Sequence, residues 1–178
     1  PFLVRLAPAL ADLALRPGAP TRLPGRFAPS ESPAGVEAGL TDHVVIVGYG
    51  VCGRNVARAA TIAEVPYVII EMNPDTVKRE RAKGEPIFFG DAAYEAVQEH
   101  AGVPGARVMV VAMNDAVASR RIVEVARRLN PRLHIIARTR FLSELDALRE
   151  AGADDVIPEE FETSVEIFSR VLGAYLVP

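Results

Sequence analysis

From His43 onward the chain alternates between two hydrophobic patterns. Short apolar runs, rich in β-branched residues, fall at 43–47, 66–71, 86–89, 107–112, 133–138 and 154–157. They are continuously apolar, as expected of parallel strands buried on both faces. Between them apolar residues recur at helical spacing. The spacing predicts helices at about 51–63, 74–83, 92–101, 114–129 and 141–151, with a last one at about 159–175. Asn73-Pro74 and Asn114 read as helix starts, Asn130-Pro131 and Gly152 as stops. Within 114–129, Ala118, Ile122, Val125, Ala126 and Leu129 form the expected buried stripe, and Arg120, Arg121, Glu124, Arg127 and Arg128 the outer face. Six β–α units predict an α/β architecture, a doubly wound parallel six-stranded sheet over 43–158.

The chain before His43 reads differently. In residues 1–16, Leu3, Leu6, Leu10 and Leu13 recur at helical spacing, with Arg5, Pro8 and Asp12 among them. Two readings stand: an amphipathic helix docked on another surface, or the tail of a membrane helix. Residues 17–42 hold Pro17, Pro20, Pro24, Pro29 and Pro33 with Gly18, Gly25, Gly35 and Gly39. No apolar period survives there, so this is a predicted linker.

Composition narrows the function. The 178 residues are 49% hydrophobic and 24% charged, with a formal net charge of −3. That length can bury a core without disulfides or metals. A single Cys excludes an internal disulfide and a Cys-rich zinc site, and it suits a reducing compartment. Slight acidity argues against a nucleic-acid partner. No apolar run approaches the roughly 18–20 residues that span a bilayer. Pro1 stands where an initiator Met would, without a signal-peptide pattern, so a cut through a longer chain is expected.

Candidate chemistry begins where the first strand ends. Gly48-Tyr49-Gly50-Val51-Cys52-Gly53 is G-x-G-x-x-G, placed after a strand and opening a helix. Gly48 permits the tight turn, Gly50 lets a phosphate approach the backbone, and Gly53 lets the helix pack close. The helix N-terminus presents N–H groups and partial positive charge to an anion. The alternative is that the glycines serve packing only. Glu71 ends the second strand, 18 residues after Gly53, where a carboxylate can accept two ribose hydroxyls. A 2′-phosphate would meet a like charge, so NADP is disfavoured. The competing reading is a strand-end carboxylate in solvent.

Further candidates follow at the other strand ends. Asp91 either faces the adenine and ribose side of a ligand or caps a helix starting at Ala92. Met113 and Asn114 end the fourth strand, where Asn114 either caps a helix or also faces a phosphate or second ribose. Arg138 and Arg140 leave the fifth strand, and either can pair with a phosphate or carboxylate. Arginine is common here, 18 of the 20 basic residues, so plain surface charge competes with that reading. Met72, beside Glu71, belongs to the same candidate set. Cys52 sits at a helix N-terminus, where a thiolate is stabilised. It is either a redox-sensitive thiol or a small residue packing the first turn.

Several chemistries are missing from the text. There is no G-x-S-x-G elbow. Gly53-Arg54-Asn55 stands where a Walker loop needs Lys then Ser or Thr. No Tyr precedes a Lys by four residues, and His43, His100 and His134 are scattered. The expectation is a nucleotide site without catalytic or metal-binding residues. Two alternatives remain, a small NAD-dependent oxidoreductase completed by another subunit and a methyltransferase-like fold.

These residues resemble the TrkA-N, or RCK, domain that controls potassium channels and cation:proton antiporters. The likeness is nearest to the cytosolic part of Kef-type antiporters. It is carried by VVIVGYGVCGRNVA, IIEMNP, FFGDA, VVAMND, IIARTR and GADDVIPEEFETSVEIFSRVL, and it covers about 41–178. The resemblance implies a Rossmann-like, dimeric, ligand-gated regulatory domain at the cytoplasmic face of a membrane. Residues 1–16 would then end the antiporter's last membrane helix. Implied ligands are AMP, ADP, ATP and NAD(H). By position, Gly48, Gly50 and Gly53 would hold phosphates, Glu71 the ribose and Asp91 with Ala92 the adenosine end. Asn114 and Arg138 would line the far side. Many relatives carry Arg where this chain has Val51, so a phosphate-facing charge would have to come from Arg54 or Arg138.

The last predicted helix carries more apolar surface than one sheet edge needs. Phe161, Val165, Phe168, Leu172 and Tyr175 share a face, and Ile167, Val171 and Ala174 add to it. With the resemblance, residues 159–178 are expected to form a dimerisation helix.

Overall fold

A computed structural model describes residues 40–176. The expected helix at 1–16 and nearly all of the 17–42 linker lie outside those residues. Six strands form one sheet: β1 (Val44–Val47), β2 (Tyr67–Glu71), β3 (Ile87–Phe89), β4 (Val108–Val111), β5 (His134–Thr139) and β6 (Asp155–Pro158). Their order is β3-β2-β1-β4-β5-β6, and each neighbouring pair is parallel. The helices are α1 (Val51–Ile62), α2 (Pro74–Arg81), α3 (Glu95–His100), α4 (Ala116–Leu129), α5 (Leu145–Glu150) and α6 (Glu159–Leu176). This is the doubly wound Rossmann-like sheet that the sequence predicts, with a helix at its C-terminal end. The chain order reverses between β1 and β4, which makes their carboxyl ends the switch point.

Register sorts the strand side chains onto two faces. Ile46, Ile69 and Ile87 align on one face and pack with Ala57 of α1 and Val77 of α2. Val45, Val68, Met109 and Ile135 point the other way, to Ile122, Val123 and Ala126 of α4 and Leu148 of α5. The expectation of strands buried on both faces holds for the interior of β1 and β2 and for Ile87 and Phe88 of β3. On β4, β5 and β6 burial alternates, leaving Val110, Ile136 and Arg138 half-buried and Ile157 exposed. These align with Ile46 on the α1–α2 side, where among the described residues no helix covers this half.

Local starts and stops mostly follow side-chain chemistry. Asn73 Oδ1 accepts the Thr76 N–H at 3.0 Å, with Pro74 in the first helical turn. The start of α4 differs from expectation: Asp115, not Asn114, is its cap, accepting the Ala118 N–H at 3.0 Å. The start of α3 also differs, falling at Glu95 and not Ala92. Residues 91–94 form a turn because the buried Gln98 side chain donates to the Ala92 carbonyl at 2.7 Å. The expected helix at 141–151 is a short 3-10 turn, Leu142–Glu144, followed by α5.

Arg127 departs from its expected outward role. Its guanidinium donates to the carbonyls of Gly152, Pro131 and Leu133 and to Asp154, tying α4 to the amino ends of β5 and β6. Asp154 also accepts the Ile135 N–H at 2.7 Å. Burial pushes this carboxyl up, but Ile135 and Arg127 outweigh it and hold its pKa below the ordinary value.

His43 is fully buried where the chain enters β1, with Nε2 2.9 Å from the Ala101 carbonyl. Nδ1 has no partner. Burial pushes the imidazole pKa down, only partly offset by that carbonyl and by Asp42. The neutral ring is therefore the folded form. Its contribution to stability is complete above the unfolded pKa of about 6.5 and is lost as pH falls below it. Denaturant melts between pH 7.5 and 5.5 should show stability falling by up to about 1.4 kcal/mol per unit below pH 6.5. His43→Gln should flatten that slope; an unchanged slope would remove His43 from the account.

Candidate functional site

The site grows from the glycine loop. Gly48 has φ +90°, and a Cβ there would stand 3.3 Å from the Ala112 carbonyl oxygen. Its own N–H donates to the Ile70 carbonyl at 2.9 Å, so the turn is fastened to β2. A Cβ on Gly53 would sit 1.9 Å from the Gly48 carbonyl oxygen. No side chain fits there, and α1 therefore starts directly over the end of β1. Gly50 is the opposite case: among the described residues nothing lies within 4 Å of a Cβ built on it. It is the N-cap of α1 without a side-chain cap, and the first turn holds no acidic residue. Helix geometry leaves the N–H groups of Val51, Cys52 and Gly53 without intrahelical acceptors. The loop thus offers open space beside uncapped donors and partial positive charge.

Glu71 reaches across from β2. One carboxylate oxygen accepts the Tyr49 N–H at 2.6 Å, and the other accepts the Asn73 N–H at 2.7 Å. It is thus no idle solvent carboxylate; it sets the spacing between the glycine loop and the turn after β2. Each oxygen keeps a lone pair for an outside donor. Tyr49 itself points away. Its ring packs with Ile46, Ala57 and Val77, and burial, then Glu85 and Glu80, pushes the phenol far above its ordinary pKa. Only its backbone belongs to the site.

The remaining candidates spread along the same edge of the sheet. Val51 and Met72 are exposed and Cys52 is half-buried. Asp91 follows β3, its Oδ1 accepting the Ala93 N–H at 2.9 Å, while Ala92 is buried. Asp91 closes the 91–94 turn and does not cap α3. Met113 lies beside the loop, where a Cβ on Gly48 would come 3.8 Å from its own Cβ. Asn114 is released from capping by Asp115 and accepts a hydrogen bond from Arg138 Nη1. Arg138 also pairs with Glu159 at 2.6 Å. Arg140 turns elsewhere and stacks over Phe141 at 5.3 Å.

The structure therefore brings together Gly48, Tyr49 and Glu71 on one side and Met113, Asn114 and Arg138 on the other. Asp91 stands at the β3 end of this row and Arg138 at the β5 end. Glu159 escaped the sequence reading, because nothing in IPEEF marks which carboxylate meets Arg138. Two surface hollows lie away from the loop, flanking Phe89 on β3 and lined by Val77, Arg81 and His100 among others. The loop is the candidate site, since its donors and carboxylate converge and the hollows hold no such set. Among the described residues no cluster of His, Cys, Asp and Glu is suited to a metal, and no helix is long and apolar enough to cross a membrane.

Comparison with known proteins agrees with this fold. The TrkA-N domain matches residues 44–159. A putative K(+) efflux antiporter KefB of Alkalimonas amylolytica is 36% identical over 140 residues, 79% of this chain and 21% of that protein. The glutathione-regulated potassium-efflux system protein KefC of Cronobacter sakazakii is 32% identical over 125 residues, 70% of this chain and 20% of that protein. The chain thus spans about a fifth of the length of these curated relatives. The TrkA-N domain of inner membrane protein ybaL from Escherichia coli superposes with TM-score 0.71 at 27% identity, covering 74% of this chain and 98% of that one. A Kef C-terminal domain of Shewanella denitrificans in its AMP-bound form superposes with TM-score 0.66 at 26% identity, over 76% of this chain and 82% of that one. The sequence resemblance, the six-stranded order and the glycine-loop geometry all lead to one assignment: the chain belongs to the TrkA-N domain family.

Proposed function

We propose that this domain binds an adenine nucleotide and regulates a monovalent cation:proton antiporter from the cytoplasmic face of the membrane. It acts as a sensor and not as an enzyme. The observation that carries the reading is Gly50, which leaves open space beside uncapped N–H donors, with the Glu71 carboxylate at the next strand end. Phosphate fits the donors, and ribose hydroxyls fit the lone pairs that Glu71 retains. AMP, ADP, ATP and NAD(H) share both groups, whereas the 2′-phosphate of NADP would meet Glu71. Support also comes from the AMP-bound form of the Shewanella relative and from the K(+) efflux antiporters named above. The transmembrane partner would belong to the same polypeptide.

A second copy is the other proposed partner. The described α6 side chains are exposed, including Phe161, Val165, Phe168 and Leu172 on one face with Ile167 and Val171 beside it. Burying a Leu or Phe contributes about 1.5–3 kcal/mol. Two-fold symmetry doubles each such contact. A dimer through this helix would let ligand binding bias two arrangements of the pair, by its difference in affinity for them.

Three outcomes are expected. Gly50→Val should melt like the parent chain, since its Cβ meets nothing, yet lose AMP and NADH binding in calorimetry; normal binding would place the phosphate elsewhere. Glu71→Gln removes charge-assisted bonds worth roughly 1.5–3 kcal/mol, so affinity should fall about ten- to a hundredfold. Unchanged affinity for both nucleotides would remove Glu71 from the ribose site. In sedimentation at tens of micromolar the chain should be a dimer that Phe168→Asp dissociates. A strict monomer, or a dimer indifferent to that change, would count against α6 as the interface.

A further inference from the structure

We propose that Arg138 is shared between the nucleotide site and the first turn of α6, so that an anionic ligand group and Glu159 compete for one guanidinium. The inference rests on the nucleotide reading above and adds how that site would speak to the helix.

The connection is short and continuous. The glycine loop abuts the end of β4, where a Cβ on Gly48 would lie 3.3 Å from the Ala112 oxygen and 3.8 Å from the Met113 Cβ. The next residue, Asn114, accepts from Arg138 Nη1. The other terminal nitrogen, Nη2, lies 2.6 Å from Glu159 Oε2. Glu159 is the first residue of α6. One planar cation therefore touches the loop after β4 and the start of the C-terminal helix together.

Position makes the cation available. Arg138 lies at the carboxyl end of β5, in register with Ile157 of β6, on the sheet face that no described helix covers here. Its side chain is 24% exposed and that of Glu159 47%, so the pair is reachable from solvent. Strands stand about 4.8 Å apart, which puts β5 about 10 Å from β1. A long Arg side chain covers part of that span. One guanidinium N–H is used by Asn114 and the Glu159 contact is an ion pair, leaving donors for a phosphate. Val51 brings no charge to the loop.

Competition follows from charge. A phosphate beside Arg138 draws the guanidinium and repels the Glu159 carboxylate. Such coupling is reciprocal: if the ligand weakens the Arg138–Glu159 pair, removing the Glu159 charge tightens the ligand by the same factor. The described side chains of α6 from Glu160 onward are exposed, so this ion pair is a principal tie at its first turn. Loosening it would free the helix to change its angle to the sheet.

The test uses the 178-residue chain with AMP and NADH as probes. Calorimetry would compare the parent with Glu159→Gln, Arg138→Gln and the double variant, and hydrogen exchange would follow the amides of α6 with and without nucleotide. For whichever probe binds, Glu159→Gln should tighten it about fivefold. Arg138→Gln should weaken it, and Glu159→Gln should add nothing in that background. Nucleotide should speed exchange in the first turn of α6. Nucleotide binding that is indifferent to Glu159→Gln, with unaltered exchange, would overturn the sharing and leave the nucleotide reading intact. A chain that binds neither probe would overturn both.

Discussion

The whole site depends on one close contact, that of Gly53 with the carbonyl of Gly48. A Cβ at Gly53 would approach that oxygen to 1.9 Å, so only a hydrogen atom can lie there. Because the two backbones meet, the first turn of α1 stands over the end of β1 and aims its N–H groups along the sheet edge. Glu71 then fixes the loop from the side by accepting the Tyr49 N–H. A fold that offers phosphate-binding donors at one point and a carboxylate one strand away has little else to arrange for a nucleotide.

The two halves of the sheet differ in cover. Beneath α1 and α2 the β1–β2–β3 half is closed, whereas among the described residues no helix covers Val110, Ile136, Arg138 and Ile157 on the same face over β4, β5 and β6. The free edge at β3 is managed otherwise: Arg81 donates twice to the Ile87 carbonyl, at 3.1 and 3.0 Å, and so blunts it as a template for another strand. An open half-face joined to an exposed apolar helix is an unusual surface for an isolated domain. It fits a unit made to work against a second copy or a larger body.

Much of this was legible in the sequence because it is local. Each strand fell within a residue or so of its apolar run, the Asn73-Pro74 start held, and the spacing of the glycines declared the loop. What was not legible depends on contacts distant in the chain. Gln98 pulls residues 91–94 out of the helix through the Ala92 carbonyl, and no local preference announces that. Asn114 and Asp115 are equally good caps, and only the position of Arg138 separates their roles. Arg127 reads as a surface charge until the carbonyls of Gly152, Pro131 and Leu133 converge on it. A continuously apolar strand likewise cannot say which of its faces a neighbour covers.

The central claim is that the nucleotide lies on the glycine loop at the carboxyl edge of the sheet. Amide chemical shifts, followed residue by residue while AMP is titrated into the labelled chain, test it directly. The account predicts the largest, saturable shifts at Gly50, Val51, Cys52 and Gly53, with further shifts around Glu71 and Asn114. Shifts gathered instead around Arg81, Phe89 and His100, with the loop amides unmoved, would contradict it.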